Sequence, residues 1–151
     1  MTRDELTQAI GAFSDPEDEA QLAALDQQLQ ALAQTGVDPP ALAAMIGVLE
    51  RFPGHDGFGV FWSLVHALEH FGGYEAPLLQ SLRRRPSPFT VLLAQRLQNG
   101  GVTQIDGVPL LALLQQIADD EGVHPEARRD AASFVACQHA RSPTDPGDVD
   151  R

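Results

Sequence analysis

The chain has 151 residues, room for one domain with a single sizeable core, which excludes two-domain enzymes and large barrels. With 43% hydrophobic and 21% charged residues, it carries enough apolar surface to offset the entropy of ordering most of its length. Its 21 acidic residues against 10 basic ones, all arginine, leave a formal charge of -11, which disfavours binding to nucleic acid or to anionic membranes and points to a basic protein partner.

Thr2 and Glu5 form a T-x-x-E capping box, and Leu6, Ile10 and Phe13 follow at helical spacing, so a first helix is expected over about residues 3 to 13. Pro16 suits the first turn of a second helix, in which Glu17, Asp18 and Glu19 complement the dipole and Leu22, Leu25, Leu29 and Leu32 form the buried stripe up to Gly36. Asp38-Pro39-Pro40 opens a third, carrying Leu42, Met45, Ile46 and Leu49. The fourth is expected to begin near Phe58. Its apolar residues, Val60, Phe61, Leu64, Val65, Leu68 and Phe71, spread so widely round the axis that it reads as the central helix.

A fifth helix bears Leu78, Leu79 and Leu82 and runs to Arg83-Arg84-Arg85-Pro86. Ser87-Pro88 starts a sixth with Leu92, Leu93 and Leu97, which stops at Gly100-Gly101. Asp106-Gly107 between Val102 to Ile105 and Val108 predicts a very small hairpin or an irregular loop. Pro109 leads into a seventh helix with Leu110, Leu111, Leu113, Leu114 and Ile117, and an eighth spans about residues 125 to 139. The polar tail from Ser142 is expected to be disordered, leaving residues 1 to 141 as one helical domain.

The fold class is therefore all-α: about eight helices in antiparallel hairpins that begin roughly every 35 residues, as a HEAT-like stack or a compact bundle. No residue signature recurs with that period. A lone cysteine, Cys137, cannot close an internal disulfide, the first five residues carry no apolar stretch, and no run approaches the roughly 18 apolar residues of a membrane span. A reducing, cytoplasmic location is expected.

The acidity lies at the two ends of the chain. Residues 1 to 50 hold nine acids and one arginine, residues 51 to 100 three acids and five arginines, and the remainder nine acids and four arginines. Asp15, Glu17, Asp18 and Glu19 form the densest cluster, which dipole complementation partly explains. Asp119, Asp120 and Glu121, at the end of the seventh helix, oppose the dipole, so they belong to the following loop or serve a partner.

His66-Ala67-Leu68-Glu69-His70 spells H-x-x-E-H, in which two histidines one turn apart hold zinc and the Glu works on water. The alternative is a partly exposed histidine pair, and with no distal carboxylate helix evident the zinc reading is the weaker one. Neither a catalytic residue nor a cofactor is assigned. Gly54-His55-Asp56-Gly57 reads as a tight, partly left-handed connection, with Asp56 capping the fourth helix and the loop stiff enough for a partner to use. Cys137 reads as a small core residue, Trp62 and Tyr74 as core or rim packing, and Arg83 to Arg85 as cations at a helix C-terminus.

The stretch from Arg51 to His70, with the phrase Asp56-Gly-Phe-Gly-Val-Phe-Trp-Ser63, followed by Gly73-Tyr74-Glu75 and Ser81-Leu82-Arg83-Arg84-Arg85-Pro86-Ser87, resembles small helical immunity proteins of bacterial polymorphic toxin systems. The similarity covers about residues 50 to 100. It implies a protein without catalysis of its own that binds a cognate toxin domain and blocks its active site. The partner surface expected on charge and loop stiffness comprises Asp15, Glu17, Asp18, Glu19, His55, Asp56, Asp119, Asp120 and Glu121. A small zinc hydrolase and a general helical-repeat adaptor are the competing readings.

Overall fold

The structure, a computed structural model, describes residues 1 to 141. The tail expected to be disordered from Ser142 lies outside them. Within them are α1 (Arg3–Gly11), α2 (Glu19–Thr35), α3 (Pro39–Arg51), α4 (Val60–Phe71), α5 (Glu75–Arg84), α6 (Pro88–Asn99), α7 (Leu110–Asp119) and α8 (Pro125–Arg141). Two two-residue strands, β1 (Gln104–Ile105) and β2 (Val108–Pro109), pair antiparallel, with Ile105 opposite Val108. Asp106 and Gly107 both take positive φ in their turn, as a two-residue hairpin of this type requires.

The helices form four antiparallel hairpins whose first members begin at residues 3, 39, 75 and 110, a period of 35 or 36. Beyond the pairing within each hairpin, α1 packs on α3 and α2 on α4, then α3 on α5 and α6, then α6 on α7 and α8. The extensive helix contacts therefore join each hairpin to its neighbour in chain order, which is how a stack of repeats buries its core.

Two helices each pack on four others: α3 on α1, α4, α5 and α6, and α6 on α3, α5, α7 and α8. The expected central helix, α4, is displaced from that role because Trp62, His66 and His70, spaced by four, leave one stripe of it in solvent. Close approach to α3 from several sides is possible because Ala41, Ala44, Gly47 and Val48 are small, while Met45, Ile46 and Leu49 fill the space between them. Burying each of these larger side chains contributes about 1.5–3 kcal/mol.

Two further boundaries differ from expectation. α1 stops at Gly11, and Phe13 is buried beyond its end, against Phe52 and Phe61 at ring separations of 5.6 and 6.0 Å. α2 begins at Glu19 rather than at Pro16, because the Asp18 carboxylate accepts from the Ala20 and Gln21 amides and takes the N-cap position. Pro16 is buried in the preceding turn.

Cys137 is exposed, contrary to expectation. The buried stripe of α8 is Ala127, Ala131 and Val135, and the cysteine, two residues past Val135, is carried to another face.

Candidate functional site

The four turns that join the two helices of each hairpin lie along one edge of the stack. Arg51 of the second hairpin donates from Nη2 to the Phe13 carbonyl of the first turn at 2.8 Å. Pro53 of the second turn, Arg83 to Pro86 at the third and Gly122 to His124 at the fourth line one common cleft. The edge is built by a repeated device: Asp15, Asp56 and Asp120 each accept, through Oδ1, the backbone N–H two residues on, at 2.9, 3.1 and 2.9 Å. The third turn uses a buried capping box between Ser87 and Thr90 instead. A signature of the repeat is thus present after all, in turn chemistry rather than in the helices.

Every residue expected at the partner surface lies on this edge, in two groups. Asp15, Glu17, Asp18, Glu19, His55 and Asp56 belong to the first two turns. Asp119, Asp120 and Glu121 belong to the fourth, separated from the others by the three arginines of the third. Asp119 is the last residue of α7 and accepts from the Gln115 amide, Asp120 is the C-cap, and Glu121 falls in the turn. Asp15, Asp18, Asp56 and Asp120 therefore hold turns and caps together, while Glu17, Glu19 and Glu121 point charge into solvent.

The second turn carries the most unusual backbone. Gly57, Phe58 and Gly59 have φ of 59°, 52° and 92°, three left-handed residues in succession. Gly57 is buried, and a Cβ there would stand 2.8 Å from the Phe61 ring, so only glycine fits. Phe58 has no such excuse, since an L side chain in this region costs about 1–2 kcal/mol. Asp56 does not cap α4 as expected. Its side chain caps the turn, its carbonyl accepts from the Gly59 and Phe61 amides, and Gly59 occupies the N-cap without a side-chain bond.

The result of that strain is that Phe58 stands 77% exposed, beside Leu22 and Ala23 one turn into α2 and next to Asp26. One turn further on, Trp62 is 39% exposed and edge-on to Phe89 at 5.2 Å. Phe89 in turn meets buried Phe61 at 6.2 Å. An aromatic series thus runs from the core at Phe13, through Phe61 and Phe89, out to the surface at Trp62. Trp62 is not core, as the alternative had it. Phe58 was absent from the expected site residues. Its signal in the sequence is an aromatic between two glycines, where the fourth helix is expected to begin.

His66 and His70 are exposed on α4, as a partly exposed pair would be. The Glu69 between them is held by Arg96 of α6 through Nε to Oε2 at 2.6 Å and Nη2 to Oε1 at 2.9 Å. That pair leaves the carboxylate structural, joining the second and third hairpins. Buried Tyr74 lies within the field of the same pair. Burial, with the charges of Glu69 and Glu75, pushes its hydroxyl up to about 12, so it stays neutral near pH 7.

Two exposed aromatics thus stand near the start of α4, Phe58 on the side of α2 beside Asp26 and Asp56, and Trp62 on the side of α6 against Phe89. Comparison with protein-family models, with curated proteins and with solved structures finds no match for the chain. No described helix is long and apolar enough to cross a membrane.

Proposed function

We propose that the chain is an immunity protein, a binding module that acts in the cytoplasm by covering the cationic active site of a cognate toxin domain and performs no chemistry of its own. The observation that carries this reading is Phe58, a large apolar side chain held out to solvent by an unfavourable backbone. Strain of this kind persists where its surroundings enforce it, and it concentrates at sites of function. Exposed aromatic anchors inside a charged rim are the anatomy of a protein-binding hot spot. The carboxylates beside Phe58 are Asp26 and Asp56, which suit a basic partner and speed its encounter at low salt. The resemblance of residues 50 to 100 to immunity proteins supplies the class of partner, and the strained turn lies within that stretch.

The ion pair between Glu69 and Arg96 weighs against the zinc-hydrolase reading, since the carboxylate meant to work on water is already engaged. The proposal predicts a toxin domain encoded in an adjacent reading frame, and co-expression with that domain tests it. Restored growth together with a complex on size exclusion is the expected result. Neither rescue nor a complex would refute it.

A further inference from the structure

The cleft between the second, third and fourth turns has a character opposite to the rest of this acidic edge. Its volume is about 490 Å³, within the range of roughly 300–1,000 Å³ typical of small-ligand sites. Its apolar lining includes Leu82, Leu113, Ile117 and Val123, all of them residues of the core. Arg83, Arg84 and Arg85 stand along one side and His124 on the other.

The charges in the cleft are not equivalent. Arg84 is committed to Glu50, donating from Nη2 to Oε1 at 2.6 Å and from Nε to Oε2 at 3.1 Å, and Ser81 donates to the same carboxylate at 2.8 Å. Asp120 is tied by Oδ1 to the Gly122 amide at 2.9 Å. Arg83 and Arg85 make no ion pair or side-chain hydrogen bond within the described residues. The backbone amide of Glu126 donates to Nδ1 of His124 at 3.2 Å, so the neutral ring carries its proton on Nε2 and has a donor to offer. The first turn of the 17-residue α8 follows directly, with the positive end of its dipole at the same place.

We propose that this cleft is a binding site for a small organic anion, a carboxylate or phosphate carried on an apolar body. Arg83 and Arg85 take the charged group, His124 adds a hydrogen bond, and the Leu82, Ile117 and Val123 surface receives the body. Arg84 does not bind the ligand; its pair with Glu50 neutralises the acid that would otherwise repel it. The site is separate from Phe58 and stands whether or not the chain binds a toxin.

Titration of the full chain with phenyl phosphate, followed by amide ¹H–¹⁵N correlation spectra, tests this. Saturable shifts are expected at Val123, His124 and Ile117, weakened about tenfold or more in R83S/R85S and for inorganic phosphate, and absent with phenol. Urea unfolding of R83S/R85S should remain a single cooperative transition with a midpoint only slightly below the parent's, since both arginines are exposed and the variant loses only favourable charge at the α5 C-terminus and beside Glu50. Non-saturable shifts, shifts centred elsewhere, equal binding of inorganic phosphate, or equal binding by the double variant would each overturn the proposal.

Discussion

Arg96 grips Glu69 with two hydrogen bonds, at 2.6 and 2.9 Å, and thereby turns an H-x-x-E-H sequence into a clamp between the second and third hairpins. The pair is partly exposed, with 41% of the Arg96 side chain and 28% of that of Glu69 accessible. A pair of this kind contributes a few tenths to about 1 kcal/mol. A double-mutant cycle of E69Q and R96M in urea unfolding should return a coupling within that range, with protection against the toxin unchanged. Loss of protection in E69Q at intact stability would restore the catalytic reading.

At Gly57 the geometry demands glycine. G57A places a methyl 2.8 Å from the Phe61 ring at a φ of +59°, combining overpacking with left-handed strain. The expected loss is about 2 kcal/mol or more in chemical denaturation. A variant as stable as the parent would mean that the turn is not held as described.

Phe58 behaves in the opposite way. F58G removes the left-handed strain and adds chain entropy to the unfolded state, two effects of similar size, so its stability should stay within about 1 kcal/mol of the parent. Binding should nevertheless suffer. A large drop in melting temperature would instead assign Phe58 a role in packing.

Burial raises the Glu50 carboxyl, but hydrogen bonds from Arg84 and Ser81 and the charges of Arg84 and Arg85 outweigh it, and the net result lies below the ordinary 4.5. The ionised pair therefore stabilises the fold above the unfolded-state value, and that contribution is lost as the pH falls through the lower folded-state value. E50Q should flatten the loss of stability on acidification below about pH 4.5 relative to the parent. Parallel pH profiles for the two proteins would contradict this.

Of the expected acids, Glu17, Glu19 and Glu121 are the ones to reverse, because Asp15, Asp18, Asp56 and Asp120 hold backbone amides. E17R/E19R should slow association with the toxin about tenfold at low ionic strength and reduce its salt dependence, with dissociation little changed. E121R tests the other end of the edge, beyond the arginine cleft, and should have the smaller effect. A larger effect of E121R would move the contact to the fourth turn.

Much of the architecture is legible in local chemistry. The Thr2 and Glu5 box, the Asp38 cap before Pro39, the Ser87 cap before Pro88 and the Asp106-Gly107 turn act within four residues, so each could be read directly. Pro16 misleads because an acidic residue two positions on competes for the cap, and the Asp18 carboxylate wins it with two amide bonds. The rank of α4 misleads for another reason. Apolar spread describes one helix, whereas centrality depends on how many neighbours can approach, which small residues in α3 decide. At the site, the loop at His55 and Asp56 is legible as stiff and the glycines on either side of Phe58 mark a turn, but its exposure depends on three consecutive positive φ values, and helical spacing to Phe61, Val65 and Leu68 argues instead for burial.

The central claim is that Phe58 and Trp62 anchor a toxin domain. Its most direct test is the dissociation rate of that complex for the parent and for F58A/W62A. The account predicts dissociation faster by at least about a hundredfold with association nearly unchanged, as for a hot spot. A complex that leaves at the parental rate would contradict it.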